Sequence, residues 1–362
     1  MNDKAEMGPS TRAIHAGLPQ AEQGAPLLPG PVLAAPYHLR GAADAAPYGY
    51  GRDQNPTWTH LERALGELDG GEALVFASGM AAVSAVLLER LVAGDVLVAP
   101  HDAYPGIRKL ATQDLEPRGV EVRFVNTRTD EIVDASAGAR LVWVESPSNP
   151  ALDVVDLDAV AAAAHAAGAL LAVDNTVATP LGQRPLDHGA DFAMVSGTKS
   201  LTGHSDVLLG AVSVRDAALA AELRAWRSRT GAVLGPFEAW LAHRSLATLG
   251  LRLERSQANA RALAETLAAR DDVTGVRWPG VGAVVAMVLS SAEHAQAFLD
   301  ECTLVSEATS FGGVHSTAER RARWGTDDVP EGFVRFSAGC EDTGDLVADV
   351  VSALDSVRGR SV

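Results

Sequence analysis

The sequence predicts an α/β protein, a mostly parallel seven-stranded sheet covered on both faces and followed by a smaller C-terminal α/β domain. Three observations lead there. Short apolar runs alternate with alanine-rich helical segments between residues 57 and 214. A stretch with apolar spacing near 3.6 then covers 237–270 and bridges two units. Beyond it lie two strand-like runs and one helix, enough for a second, smaller layer.

Residues 1–48, rich in Pro, Gly and Ala without sustained periodicity, read as an extended N-terminal arm. The large domain is expected over 49–247 and the small one over 248–362. A helix is expected at 58–68 and a strand at 73–77, after which Ser78-Gly79-Met80-Ala81-Ala82 opens a helix to 91. Strands follow at 96–99, 120–125, 141–145, 170–174, 192–196 and 209–214. In the small domain, strands at 284–289 and 332–337 flank a helix at 293–301.

Composition narrows the function. The chain has 362 residues, 47% hydrophobic and 21% charged, which supports a substantial core. Lys plus Arg number 30 against 46 for Asp plus Glu, a net charge of −16 that attracts neither nucleic acid nor an anionic membrane surface. Two cysteines, Cys302 and Cys340, build no disulfide framework and fit a cytoplasmic location. No secretory signal is expected, and the apolar run 159–173, broken by His165 and Gly168, is short for a membrane span. His15, His38, His60 and His101 lack metal-ligand spacing, so no metal is expected.

Of the 30 basic residues only Lys4, Lys109 and Lys199 are lysines. Lysine can lose its proton and form a Schiff base, and arginine can do neither. Lys199 follows Ser196-Gly197-Thr198 after an apolar strand, so two hydroxyls stand beside an amine. A polar loop with one surface lysine is the plain alternative. Asp174 ends the run 170–174, at the edge where open α/β sheets bind ligands. Alone it would be a helix cap. With Lys199 it suits a site where a carboxylate holds a pyridine nitrogen and a lysine holds an aldehyde, the demands of pyridoxal phosphate. Ser78-Gly79-Met80 offers free N–H groups to a phosphate. Asp102-Ala103-Tyr104 offers a phenol to a flat ring, and Glu145-Ser146-Pro147-Ser148-Asn149-Pro150 an amide.

In this order the motifs resemble the Cys/Met metabolism (trans-sulfuration) family of fold-type I pyridoxal-phosphate enzymes, which includes cystathionine γ-lyases, γ-synthases and β-lyases and methionine γ-lyases. Tyr50-Gly51-Arg52-Asp53-Gln54-Asn55-Pro56-Thr57, Gly203-His204-Ser205-Asp206, Ser310-Phe311-Gly312-Gly313 and Arg335-Phe336-Ser337-Ala338-Gly339 extend the likeness from about residue 10 nearly to the C-terminus. The resemblance implies that Lys199 carries pyridoxal 5'-phosphate and shuttles protons, Asp174 keeps the ring nitrogen protonated and Tyr104 stacks on the ring. Gly79, Met80, Ser196 and Thr198 would hold the phosphate, with Tyr50 and Arg52 reaching in from a neighbouring subunit of a dimer, usually within a tetramer. Asn149 would lie by the ring oxygen, Arg335 would pair with the substrate α-carboxylate, and Ser310 and His315 would complete the substrate side.

Three departures stand out. The connection after Trp278-Pro279-Gly280 is shorter than the family's, His315 stands where γ-lyases often carry a glutamate, and Tyr104 precedes Pro105-Gly106-Ile107 rather than the Gly-Cys pair associated with methionine γ-lyases. The expected function is γ-elimination on cystathionine or related sulfur amino acids. The alternative within the class is γ-replacement on an O-acyl homoserine, and outside it a retired fold serving as a binding or regulatory protein.

Overall fold

The computed structural model describes residues 7–358, so Lys4 lies outside the described residues. The arm opens with α1 (Pro9–His15) and is otherwise nearly free of regular structure, apart from a 3-10 turn at Ala43–Ala45 and one bridge between Pro36 and Tyr50. Asn55 Oδ1 accepts from Thr57 N (2.8 Å) to start α2 (Pro56–Asp69), which stops at Gly70 with φ 79°, a left-handed turn that favours glycine.

Next come β1 (Glu72–Phe76), α3 (Gly79–Arg90), β2 (Val96–Pro100), α4 (Pro105–Leu110), β3 (Glu121–Val125) and α5 (Thr129–Ala135). The large unit continues through β4 (Leu141–Glu145), α6 (Leu157–Ala166), β5 (Leu170–Asp174), α7 (Thr179–Gly182), β6 (Phe192–Ser196), β7 (Gly210–Val214) and α8 (Ala217–Thr230). The seven strands expected from the apolar runs form one sheet, and the structure orders them β1-β7-β6-β5-β4-β2-β3. Pairings from β3 through β6 are parallel, and only β7 runs against its neighbours β1 and β6. All five residues of β4 are buried, because helices cover both faces.

The single helix expected over 237–270 is two, α9 (Pro236–Leu246) and α10 (Leu249–Ala268). The break has a local cause. The Ser245 carbonyl accepts from Thr248 N (3.2 Å), Thr248 Oγ1 (3.2 Å) and Arg252 Nη2 (3.0 Å), so the helical ladder is diverted at this turn.

The remainder runs β8 (Thr274–Arg277), β9 (Val284–Val288), α11 (Ala292–Glu301), β10 (Ser306–Glu307), β11 (Thr317–Arg320), β12 (Phe333–Ser337) and α12 (Thr343–Val357). These strands make a second sheet, β10-β11-β12-β9-β8. Sequence reading found β9 and β12 but missed β8, β10 and β11, which are short and largely polar. The short connection between β8 and β9 closes through Trp278 Nε1 on the Gly282 carbonyl at 3.0 Å. Register places Glu319 of β11 opposite Arg335 of β12. Among the described residues, no helix is long and apolar enough to cross a membrane.

Candidate active site

Parallel strands β4, β5 and β6 deliver their last residues to one edge of the large sheet. Glu145 and Asp174 are register partners at the ends of β4 and β5, both buried. Asp174 Oδ1 accepts from Thr176 N (3.0 Å) and Thr176 Oγ1 (2.5 Å). The same hydroxyl accepts from Ser196 N (2.8 Å), tying the end of β5 to that of β6. Glu145 Oε2 accepts from Tyr104 N (3.1 Å).

Two buried carboxylates this close cannot both ionise cheaply. Burial raises the Asp174 pKa, against the two Thr176 bonds and the charge of Lys199. Burial and then the Asp174 charge push Glu145 well above the usual carboxylate range. Of the two, Glu145 is pushed up by burial and by its neighbour, whereas Asp174 keeps two Thr176 hydrogen bonds and the Lys199 charge, which favour its ionised form. Sequence reading assigned Glu145 no role, although its position at the end of an apolar run is the same signal that singled out Asp174.

Lys199 sits on the turn beyond β6, mostly buried, and its Nζ donates to Ser310 Oγ at 2.6 Å. Burial, reinforced by Arg335, lowers its pKa to about 8. Ser310 has φ 80°, a strained conformation for a side-chain-bearing residue. That backbone turns its carbonyl to Arg335 Nη2 (2.9 Å) while its hydroxyl faces Lys199. Arg335 Nη1 donates to Asn149 Oδ1 (2.7 Å), and Nη2 also donates to Glu319. The Phe311 ring lies under both cations, 5.2 Å from Lys199 Nζ and 5.3 Å from the Arg335 guanidinium carbon. Lys199, Ser310, Asn149 and Arg335 thus form one connected set.

The phosphate-side residues meet at α3. Ser78 Oγ caps the helix by accepting from Ala81 N (3.1 Å), and Gly79 and Met80 are its first two residues, whose N–H groups have no helical partner. A Cβ on Gly79 would stand 2.9 Å from Ser196 Oγ, so glycine keeps the cradle between that hydroxyl and the helix end open. Tyr104 joins them, since a Cβ on Gly106 would meet both Met80 Sδ (2.6 Å) and the Tyr104 ring (2.8 Å). The Thr198 hydroxyl accepts from Leu209 N (2.9 Å) and donates to Leu209 O (3.3 Å). His315 lines a cavity of about 420 Å³ with Thr198, Asp206, Ser310 and Phe311.

Tyr50 and Arg52 stand apart from this set. Arg52 Nη1 donates to the Ser228 carbonyl (2.7 Å), its guanidinium lies 5.5 Å from the Tyr50 ring, and Tyr50 is about half exposed. Among the described residues, no group of His, Cys, Asp and Glu is arranged to hold a metal ion.

A buried carboxyl held by Thr176, an amine of lowered pKa and an open helix terminus beside a hydroxyl are the donor set that pyridoxal phosphate demands, and the residues fit it. Fold and site together define a fold-type I enzyme dependent on that cofactor. The chain belongs to the Cys/Met metabolism PLP-dependent enzyme family, whose model matches residues 10–355.

Relatives agree with that placement. A Streptomyces coelicolor protein named "Putative cystathionine gamma-lyase" is 54% identical over 96% of this chain and 94% of its own. The cystathionine gamma-lyase of Bacillus subtilis is 35% identical over 97% of this chain and 100% of its own. Among solved structures, CalE6 from Micromonospora echinospora, described as a cystathione gamma lyase, is 37% identical with a TM-score of 0.89, covering 96% of this chain and 99% of its own. A second structure of CalE6 describes it as a methionine gamma lyase, at 38% identity and a TM-score of 0.90, covering 97% of this chain and 100% of its own.

Proposed function

We propose that this enzyme carries out γ-elimination on cystathionine or a related sulfur amino acid. One observation carries the reading. Ser310 binds Lys199 through its hydroxyl and Arg335 through its carbonyl, fixing the amine and a carboxylate anchor on one residue. A substrate held by its α-carboxylate on Arg335 brings its α-carbon to the Lys199 amine.

When bound, pyridoxal phosphate supplies a protonated pyridine ring that takes up electrons as the Cα–H bond breaks. Asp174 holds the proton on the ring nitrogen, and the Gly79 and Met80 amides with Ser196 hold the phosphate. Tyr104 covers the ring face. Lys199, with its pKa near 8, accepts the α-proton and moves it between carbons close to neutral pH. Asn149 steadies Arg335, and His315 stands at the distal end of the substrate.

Residues 49–247 serve as the cofactor domain and 248–362 as the substrate-side domain. The working form is a dimer with shared sites, within a tetramer, where Tyr50 and Arg52 of one subunit complete the phosphate site of the next. Their distance from the Lys199 set within one chain supports this. Two unpaired cysteines, Cys302 and Cys340, support action in the cytoplasm.

Product analysis tests the reaction. Cystathionine alone should yield cysteine, ammonia and a 2-oxo acid. Preferential formation of cystathionine from an O-acyl homoserine and cysteine would instead make the enzyme a γ-synthase, and no turnover by the yellow protein with any of these substrates would overturn both.

A further inference from the structure

Binding a substrate carboxylate at Arg335 meets an electrostatic difficulty. A guanidinium already paired with a buried carboxylate attracts a second anion only weakly. Arg335 is so paired, since Glu319 faces it across the β11–β12 ladder and accepts from its Nη2.

Glu319 does not belong to Arg335 alone. Its Oε1 also accepts from Arg321 Nη1 (2.8 Å), and its Oε2 from Trp324 Nε1 (2.9 Å). Arg321 donates in turn to Asp327 Oδ2 through Nε (2.9 Å) and Nη2 (2.5 Å). Asp327 Oδ1 stands 3.5 Å from Arg108 Nη2. The side chains of Arg335, Glu319, Arg321 and Asp327 are 3%, 2%, 8% and 3% exposed, so their charges are poorly screened. Signs alternate along the chain. Three cations and two anions leave one positive unit.

We propose that Arg321 and Asp327 are positioning residues that keep one unit of positive charge available at Arg335, matched to a single amino-acid carboxylate. This rests on the carboxylate role given to Arg335 above. Arg108 ends the chain in the other half of the site. It lies on α4, and its Nε donates to the carbonyl of Ala103, the residue before Tyr104 (2.9 Å). The same run of charges therefore links the carboxylate anchor to the segment that carries the ring-covering phenol.

Charge matching predicts effects of opposite sign, which simple support of the fold would not produce. The test is calorimetric binding of glycine and of glycinamide, which lacks the carboxylate, to the holoenzyme and its variants. Arg321→Gln, which removes a positive unit, should weaken glycine by about tenfold. Glu319→Gln, which removes a negative one and keeps an acceptor, should tighten glycine by a similar factor. Glycinamide binding should change in neither, and Arg321→Lys should restore glycine affinity. Arg108 is partly exposed, so Arg108→Gln should fold even where the buried variants do not, and it should weaken glycine about threefold at an unchanged melting temperature. Glycine weakened equally by Arg321→Gln and Glu319→Gln, or untouched by Arg108→Gln, overturns the proposal. A wild-type holoenzyme that binds glycine no better than glycinamide overturns the carboxylate role of Arg335, and the proposal with it.

Discussion

On the large-sheet side of the site, Glu145, Asp174 and Lys199 stand at or just past the ends of parallel strands, and strand direction alone gathers them. On the small-sheet side, Arg335 and Glu319 meet in the middle of an antiparallel pair, and only the register of β11 on β12 gathers them. The first side positions its groups with backbone amides and hydroxyls around the buried Asp174 carboxyl. The second does so with a run of buried ion pairs. A strand end is a place a sequence can point to. A register is a relation between distant segments and stays hidden until the strands pair.

The largest effect should fall on the first side. Lys199→Ala should lower turnover more than about 1,000-fold while the protein still binds pyridoxal phosphate through the α3 terminus. Borohydride reduction followed by peptide mapping should place the label of the wild-type holoenzyme on Lys199, and label on Lys4 or Lys109 would remove the basis of the comparison. The lowered Lys199 pKa gives a second readout. Only the neutral amine attacks an aldehyde, and with a pKa of about 8 that form is half of the population at pH 8 and saturates about one to two units above it. The rate at which apo-protein captures pyridoxal phosphate should reach half of its plateau near pH 8, where an ordinary lysine would reach half only above pH 10.

The next effect concerns Tyr50 and Arg52, just after the arm, which belong to neither side within one chain. Arg52→Ala and Lys199→Ala proteins should each be inactive. Mixed under conditions of subunit exchange, they should regain part of the wild-type rate, because some hybrid sites hold both residues. No recovery after exchange verified by mass spectrometry would place the whole site within one chain.

A buried carboxylate far from the chemistry sharpens the contrast with Asp174. Asp69 ends α2 and accepts from Ser213 Oγ (2.5 Å), and burial raises its pKa to about 7. The folded state thus favours its protonated form. The penalty is absent below the unfolded pKa near 3.8, grows as pH rises and is complete above about 7. Asp69→Asn should stabilise the protein at pH 8 by on the order of 1–2 kcal/mol and have little effect near pH 4, by thermal unfolding. Asp174→Asn should instead cost activity at every pH, since its charge is used.

Much of this was legible in the sequence, for physical reasons. The inner strands of the large sheet are nearly continuous apolar runs because both faces are covered, and Asp174 and Lys199 lie at or just past the ends of two of those runs. What stayed hidden was set by tertiary contact. Glu319 sits in a short strand, Thr-Ala-Glu-Arg, that is polar because ion pairs, not apolar burial, hold its side chains. The break between α9 and α10 depends on Arg252 reaching back to Ser245, which helical periodicity does not record.

The smallest effect should lie at the distal end of the substrate, where the small-sheet side carries its weakest electrostatics. His315 is exposed and lines the cavity next to Ser310. A glutamate here would favour a distal ammonium group such as that of cystathionine. A histidine offers that group no negative charge at any pH. One exposed charge contact contributes only about 0.2–1 kcal/mol, a few-fold in kcat/KM, so the enzyme should accept cystathionine while homocysteine and O-acyl homoserines compete well. His315→Glu should then raise the preference for cystathionine by that few-fold factor through KM rather than kcat, because the contact lies away from the reacting carbons. A wild-type preference for cystathionine above about 100-fold, more than a contact of this size can supply, or ratios untouched by His315→Glu, would make His315 a solvent-facing loop residue and leave selection to the Ser310–Arg335 end alone.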